Sequence, residues 1–380
     1  MKDLHVHFFI GTEAELYKLF PVIRRLEAAK INCHIITNGQ NDISGNLFLD
    51  QVQKSIELDI CVKFPNNKRM GAYASWFFRT AIHGKKLVKK YYRGRDLNQN
   101  LFIVHGDTLS TMMGAWIANR CNVPYAHIES GLRSHNLLSP FPEEIDRYYA
   151  SLHSVINFCP KKEYALYAAK AFRGKAVDTV YNTGLETLFW ALENNKLVPK
   201  AAIHESDYFM FMLHRQENLL NRDFLCQTME HIIKLAAKIH CVFIYHTQTK
   251  AAMESAGIWS SLAEHPNFTL LSRRSYQNFI SLVEHSKFVI SDGCGNQQEF
   301  FYMGKPYLIL RNKVEEDSEG LNFNAKVFGG DLSSIERFYD DYTFYEKPAI
   351  VPTILPSEII CEEILQYFSS TCAKCPPCDQ

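Results

Sequence analysis

Three short segments bring carboxylates, histidines and an arginine together in a pattern suited to proton transfer beside an anion. They are His105-Gly106-Asp107-Thr108, His127-Ile128-Glu129-Ser130-Gly131-Leu132-Arg133-Ser134 and Pro140-Phe141-Pro142-Glu143-Glu144-Ile145-Asp146-Arg147. Carboxylates crowded against one another and against histidines have pKa values that move apart, so one group accepts a proton while another donates it. Asp107, Glu129 and Glu143 are the acid/base candidates. Pro142 suits the opening of a helix, and from there Glu143 and Arg147 fall at i and i+4 on one face. The bland alternative is that Glu129 pairs with Arg133 and that Asp107 only caps a helix. Convergence of three acidic segments argues for chemistry instead.

A second constellation has the composition of an anion site. Asp292-Gly293-Cys294-Gly295-Asn296-Gln297-Gln298-Glu299 reads as a strand end, a glycine loop and a helix start. Free backbone N–H groups and the positive end of a helix dipole suit a diphosphate there. Glu299, about one helical turn further on, suits ribose hydroxyls. His214-Arg215 ends another apolar run, where a histidine followed at once by an arginine is placed to meet phosphate oxygens. Three other features read as structural. The basic stretch Lys85–Arg95 fits a solvated helix face, Tyr208–Met212 fits a buried strand, and Cys372, Cys375 and Cys378 lack a nearby fourth ligand for a metal.

The elements that position these groups alternate. Leu4–Ile10 passes through Gly11-Thr12 into an amphipathic stretch carrying Leu16, Phe20, Val22, Ile23 and Leu26, and Ile31–Ile36 ends at Thr37-Asn38-Gly39. Leu101–Val104 and Tyr125–Ile128 are strand-like runs that end in the first two acidic segments. Tyr208–Leu213, Cys241–Tyr245, Phe288–Ser291 and Pro306–Leu310 repeat the theme. Strand followed by helix, again and again, predicts parallel sheets covered by helices, and in such sheets ligands bind beyond the carboxyl ends of the strands. A chain of 380 residues exceeds a single comfortable core. We therefore expect an α/β architecture of two doubly wound domains, residues 1–190 with the acid/base cluster and residues 191–355, then a terminal helix and Cys/Pro tail over 356–380, the helix crossing back to the first domain.

Bulk properties narrow the function classes. With 41 acidic and 41 basic residues nothing draws the chain as a whole toward nucleic acid or acidic membranes. No apolar run reaches the roughly 18–20 residues of a bilayer span. The first ten residues read as a strand rather than a signal peptide, and eleven scattered cysteines suit reduced thiols. The expectation is a cytoplasmic enzyme with no nucleic-acid partner.

The order of the motifs resembles the UDP-N-acetylglucosamine 2-epimerase family. His105–Thr108, His127–Arg133 and Pro142–Arg147 carry the resemblance, and His214-Arg215, His246, Asp292–Glu299 and Gly304-Lys305-Pro306 continue it in order, over about residues 5–330. The resemblance implies the GT-B fold, two Rossmann-like domains with the nucleotide sugar in the cleft between them. It implies that a base takes the proton at carbon 2 while UDP leaves, through a glycal, with no metal or nicotinamide cofactor. Non-hydrolysing members return UDP and yield UDP-N-acetylmannosamine, and hydrolysing members release N-acetylmannosamine. By resemblance Asp107, Glu129, Glu143, Arg147 and His214 are catalytic. Lys18, Arg215, His246, Phe279, Gly293, Cys294, Gly295 and Glu299 bind substrate, with Phe279 near the uracil. A homodimer and a place in surface-polysaccharide precursor synthesis are implied as well.

This chain departs from the family pattern at its phosphate contacts. The usual Gly-Thr-Arg-Pro-Glu reads Gly11-Thr12-Glu13-Ala14-Glu15, although Lys18 keeps the family's lysine position. The serine of the second glycine loop is Gly293, and Cys294 replaces a glycine. The usual Glu-Arg-Pro-Glu reads Glu315-Glu316-Asp317-Ser318-Glu319, and Leu58–Asn67 stands in place of a glutamine-rich segment. Each lost cation weakens an anion contact by ~1–3 kcal/mol where partly buried. Two other functions fit the same scaffold: a GT-B glycosyltransferase using a nucleotide-sugar donor, and a nucleotide-sugar binding protein without catalysis.

Overall fold

The structure is a computed structural model that describes residues 4–43, 46–52, 58–60, 64, 70–94, 96–134, 142–194, 207–293, 295–312, 320–321 and 323–372. The chain forms two compact units, Met1–Thr187 with Thr353–Gln380, and Leu188–Pro352. Cys294, Glu315–Glu319, Cys375, Cys378 and most of Leu58–Asn67 lie outside the described residues.

In the first unit the strands are β1 (His5–Ile10), β2 (Asn32–Thr37), β3 (Leu58–Ile60), β4 (Asn100–His105), β5 (Tyr125–Ile128), β6 (Ile156–Cys159) and β7 (Lys175–Asp178). They form one sheet in the order β3-β2-β1-β4-β5-β6-β7, and every pairing is parallel. In the second unit β8 (Tyr208–Met212), β9 (His240–Tyr245), β10 (Phe268–Ser272), β11 (Val289–Ser291), β12 (Tyr307–Ile309) and β13 (Ala325–Val327) line up as β10-β9-β8-β11-β12-β13, again all parallel. Each unit is thus a doubly wound α/β sheet, as the alternation of runs predicts. Strands covered on both faces read as near-continuous apolar runs, in keeping with β1 and β4, which are buried throughout although they carry His5, His7, Asn100 and His105, and with Tyr208–Met212 as a core strand.

Strand order reverses between β1 and β4 in the first sheet and between β8 and β11 in the second. Helices leave those paired strands toward opposite faces, so a crevice opens at the carboxyl ends of each pair. The helix Glu13–Ala28 follows β1 and the helix Leu109–Cys121 follows β4. Their starts approach closely because Gly11 has no side chain: a Cβ there would stand 1.7 Å from Ser110 Oγ. That gap lets the Asn38 side chain donate to Ser110 Oγ at 2.9 Å.

The helix Pro356–Cys372 belongs to the first unit, although it follows the second in sequence. Arg25 Nε donates to Ser357 Oγ (2.9 Å), and Glu186 accepts from both the amide and the hydroxyl of Ser357 (2.6 Å each). Ile360, Ile364 and Phe368 bury its inner face. The basic stretch lies on the helix Met70–Tyr92 with Lys86, Lys89 and Lys90 exposed, a solvated face.

Gly11→Ala forces Ser110 aside and breaks the Asn38–Ser110 bond, so overpacking lowers the stability of the first unit by about 1–3 kcal/mol. A urea-unfolding midpoint equal to that of the wild type contradicts this.

Candidate active site

In the first unit the cluster is built around one guanidinium. Arg147 is almost buried, at 9% exposure, and it grips Asp107 with two nitrogens, Nε at 2.8 Å and Nη2 at 2.6 Å from Oδ2. Its Nη1 stands 3.5 Å from Oε2 of the fully buried Glu144. Glu144 also accepts from Arg133 Nε (2.5 Å) and from the amide of Ser134 (3.1 Å). Burial alone would raise the Glu144 carboxyl, but the bonds from Arg133 and Ser134 and the charges of Arg133 and Arg147 hold it below the usual range.

The bland alternative of a Glu129–Arg133 pair and an Asp107 cap does not hold. Arg147 shares a helix face with Glu143 but turns to Asp107 and Glu144, since Asp107 stands at the carboxyl end of β4 within reach of the guanidinium. Arg133 pairs with Glu144 rather than Glu129. The helix after β4 is capped by Thr108, whose Oγ1 accepts from Thr111 N (3.3 Å), so the Asp107 carboxylate is left for other work. Glu143 opens the helix Glu143–Leu152, and its Oε2 is buried with no hydrogen-bond partner among the described residues.

Glu129 ends β5 in the left-handed region (φ 66°), a conformation that costs a non-glycine residue ~1–2 kcal/mol and clusters at functional sites. Lys18 Nζ holds both carboxylate oxygens, at 2.8 and 2.9 Å, and Asn182 Nδ2 donates to Oε1 at 2.6 Å. His105 Nε2 lies 3.3 Å from Oε2. Burial pushes the Glu129 carboxyl up, yet the Lys18 charge and hydrogen bond, with the Arg147 charge behind them, outweigh it and bring the pKa down to about 2. Burial lowers His105 to about 3 and His127 to about 4, so both imidazoles are neutral at pH 7. His127 Nε2 donates to the Gly106 carbonyl (2.7 Å) and Nδ1 lies 3.0 Å from Ser151 Oγ, which steadies the loop carrying Asp107.

Two carboxyls escaped the reading of the sequence. Glu15, 3% exposed, accepts from the amides of Gly11 (2.6 Å) and Thr12 (3.2 Å) and from the hydroxyl of Thr108. It ties the turn after β1 to the turn after β4, and burial raises its pKa to about 7. The spacing Thr12-x-x-Glu15 is a capping-box signature that could have found it. Asp146, 1% exposed, is one helical turn from Glu143, and its Oδ2 has no hydrogen-bond partner among the described residues. Burial first, then the nearby charges of Asp107 and Glu143, raise it to about 7.

In the second unit the buried Asp292, at the end of β11, organises the loop after β8. It accepts from the amides of His214 (3.0 Å to Oδ1) and Arg215 (2.9 Å to Oδ2) and from Asn218 Nδ2 (3.0 Å). The His214 ring stacks on His246 with centroids 5.2 Å apart and covers Gly293, where a Cβ would meet its Cε1 at 2.3 Å. Burial, then the charges of His214 and Arg273, lower the His246 pKa. Arg215 pairs with Glu217 and borders a polar cavity of about 470 Å³ whose wall includes Asn218, Asn221, Arg311 and Asn312. Gly295 precedes the helix Gln297–Tyr302; Glu299 within that helix accepts from Tyr276 Oη at 3.3 Å. Phe279 is buried in the helix Tyr276–His285 and packs on Phe300 (centroids 6.2 Å).

The structure therefore brings Asp107, Glu143 and Arg147 together, joins Lys18 to Glu129, and gathers His214, His246 and Gly293. Arg215 adjoins the last group, while Phe279 and Glu299 stand with the helices flanking β11. Among the described residues no group of three or more His, Cys, Asp or Glu side chains is arranged to hold a metal ion.

Two measurements follow from this geometry. Asp292→Ala strands two amides and Asn218, which costs about 2–4 kcal/mol and lowers the melting temperature; an unchanged melting curve refutes the role given to Asp292. For Glu15 the folded pKa of about 7 lies above the ordinary 4.5. Its contribution is full below pH 4.5 and is lost as pH rises through 7. Glu15→Gln should therefore gain on the wild type by on the order of 2 kcal/mol between pH 4.5 and 8, read from denaturant midpoints across that range.

A profile of the family described as UDP-N-acetylglucosamine 2-epimerase matches residues 24–339. A UDP-N-acetylglucosamine 2-epimerase of Methanocaldococcus jannaschii is 25% identical over 342 residues, covering 86% of this chain and 89% of that protein. One of Campylobacter jejuni is 25% identical across 94% of this chain and 95% of its own. Among solved structures, the Neisseria meningitidis UDP-GlcNAc 2-epimerase bound to UDP-GlcNAc superposes with a TM-score of 0.75 at 24% identity, covering 96% of this chain and all of that one (100%). The S. aureus MnaA–UDP co-structure gives 0.78 at 20% identity, covering 98% and 99%. The chain belongs to the UDP-N-acetylglucosamine 2-epimerase family.

Proposed function

We propose that this protein inverts carbon 2 of UDP-N-acetylglucosamine by eliminating UDP and adding it back. The observation that carries the reading is the pair of Asp107 with the nearly buried Arg147, with Glu143 one turn before Arg147 on the same helix. One of the two carboxylates takes the proton from carbon 2, and that C–H pair becomes the double bond of the glycal while the C1–O pair leaves with UDP. The other protonates the opposite face as UDP returns. If water enters instead, N-acetylmannosamine is released, and the hydrolysing variant remains within the proposal. General acid–base groups of this kind contribute about 10²–10⁴-fold.

Glu129 takes a different part from a simple base. With a pKa near 2 it stays ionised and orients Lys18. His214, Arg215, the amides around Gly293 and Gly295, and His246 meet the diphosphate. Glu299 meets the ribose and Phe279 lies beside the base. A cytoplasmic homodimer serving polysaccharide precursor synthesis completes the proposal; the described cysteines are free thiols, in keeping with a reducing compartment, and no helix of the described residues is long and apolar enough to cross a membrane.

NMR of the protein with UDP-N-acetylglucosamine in heavy water tests this. Deuterium should enter at carbon 2, and Asp107→Asn or Glu143→Gln should slow exchange at least about 100-fold with an unchanged circular dichroism spectrum. No exchange by the wild type, together with no UDP release unless an acceptor sugar is added, overturns the epimerase and favours a transferase.

A further inference from the structure

A two-carboxyl inversion leaves its catalyst out of balance. After one turnover the group that took the carbon-2 proton holds one proton more, and the group that protonated the other face holds one fewer. Before the next substrate of the same kind can react, the first must lose a proton and the second must gain one. Asp146 is a buried carboxyl on which both Asp107 and Glu143 act. Residues 143, 146 and 147 lie on one face of their helix by the i, i+3, i+4 rule, and Arg147 on that face grips Asp107. Asp146 is 1% exposed and its Oδ2 has no hydrogen-bond partner among the described residues. A buried carboxylate without a donor is costly, so the group carries a proton at rest. The charges that act on it are those of Asp107 and Glu143, the two carboxyls that the exchange must connect. Arg147 and Glu144 are the other charged groups on this helix nearby, and they are engaged with Asp107, Arg133 and each other.

We propose that Asp146 is a proton-relay residue that resets the site between turnovers, acting through Asp107 and Glu143 rather than on the sugar. It gives its proton to the carboxylate left empty and takes the proton held by the other, so it ends protonated as it began and no co-reactant is consumed. The inference rests on the epimerase reading proposed above.

Rapid-mixing kinetics on the full-length protein tests it. Asp146→Asn keeps the shape of the side chain but cannot ionise. It should release about one product per site at a rate within threefold of the wild type, then slow at least about tenfold with KM unchanged, and added formate should speed the slow phase. Asp146→Glu should restore single-phase progress. A variant-free arm uses the wild type: steady-state kcat should fall as pH rises past about 7 while the single-turnover rate does not. This arm decides the matter if Asp146→Asn does not fold. A D146N protein that is fully active, or slowed equally in its first turnover, overturns the relay, as do wild-type pH curves that superimpose. A wild type inactive on UDP-N-acetylglucosamine fails the epimerase reading itself, and the relay falls with it.

Discussion

Arg147 is the charge on which the first unit's site depends. A carboxylate taken out of water must be matched by a cation or lose its proton, and this site crowds Asp107, Glu143, Glu144 and Asp146 around a single helix start. One guanidinium answers for two of them, Asp107 and Glu144, while Arg133 shares the load on Glu144. Glu143 and Asp146 are left without such a partner among the described residues, and burial raises the pKa of Asp146 to about 7. Guanidinium rather than ammonium is needed because the two carboxylates meet different nitrogens of one planar fork. The pairing also explains why Arg147 ignores Glu143 at i+4: an exposed helix pair is worth a few tenths of a kcal/mol, less than a desolvated two-point contact.

The same constraint organises the second unit, met there mainly by dipoles. The buried acid is Asp292, and its partners are backbone amides and Asn218, with the His214 imidazole 3.3 Å away. Amides cannot move away, so the turn after β8 is pinned and His214 is laid over Gly293. The glycine that replaces the family's serine is thus no passive loss. Any Cβ at that position would collide with the ring, and the imidazole would have to leave His246.

Much of this was legible in the residues alone, for identifiable reasons. The buried strands β1, β4, β5, β8 and β11 announce themselves because strands covered on both faces are predominantly apolar. β7, Lys175–Asp178, does not, since it lies at a sheet edge and alternates polar with apolar residues. Asp107, Glu143 and Arg147 were found by chain order and helix spacing. Their partners were not, because pairing across 40 residues between Arg147 and Asp107 depends on which strands are neighbours. Asp146 stood in the motif unremarked; its importance comes from burial, which spacing does not report.

The departures at the phosphate contacts acquire a physical meaning from these pairings. Where the family carries an arginine, this chain has Glu13, and the three cations beside the first unit's cluster are already matched: Lys18 with Glu129, Arg147 with Asp107, Arg133 with Glu144. Among the described residues, a diphosphate on the proposed reading meets little uncompensated positive charge there. Recognition on that reading falls to the second unit, where the Arg215 guanidinium pairs with Glu217, which is 62% exposed. Such surface pairs are worth less than about 1 kcal/mol and are readily exchanged for phosphate oxygens. On the proposed reading, proton transfer and anion binding fall to different halves of the chain, and changes in the phosphate-binding residues can accumulate without disturbing the charge balance that Arg147 maintains.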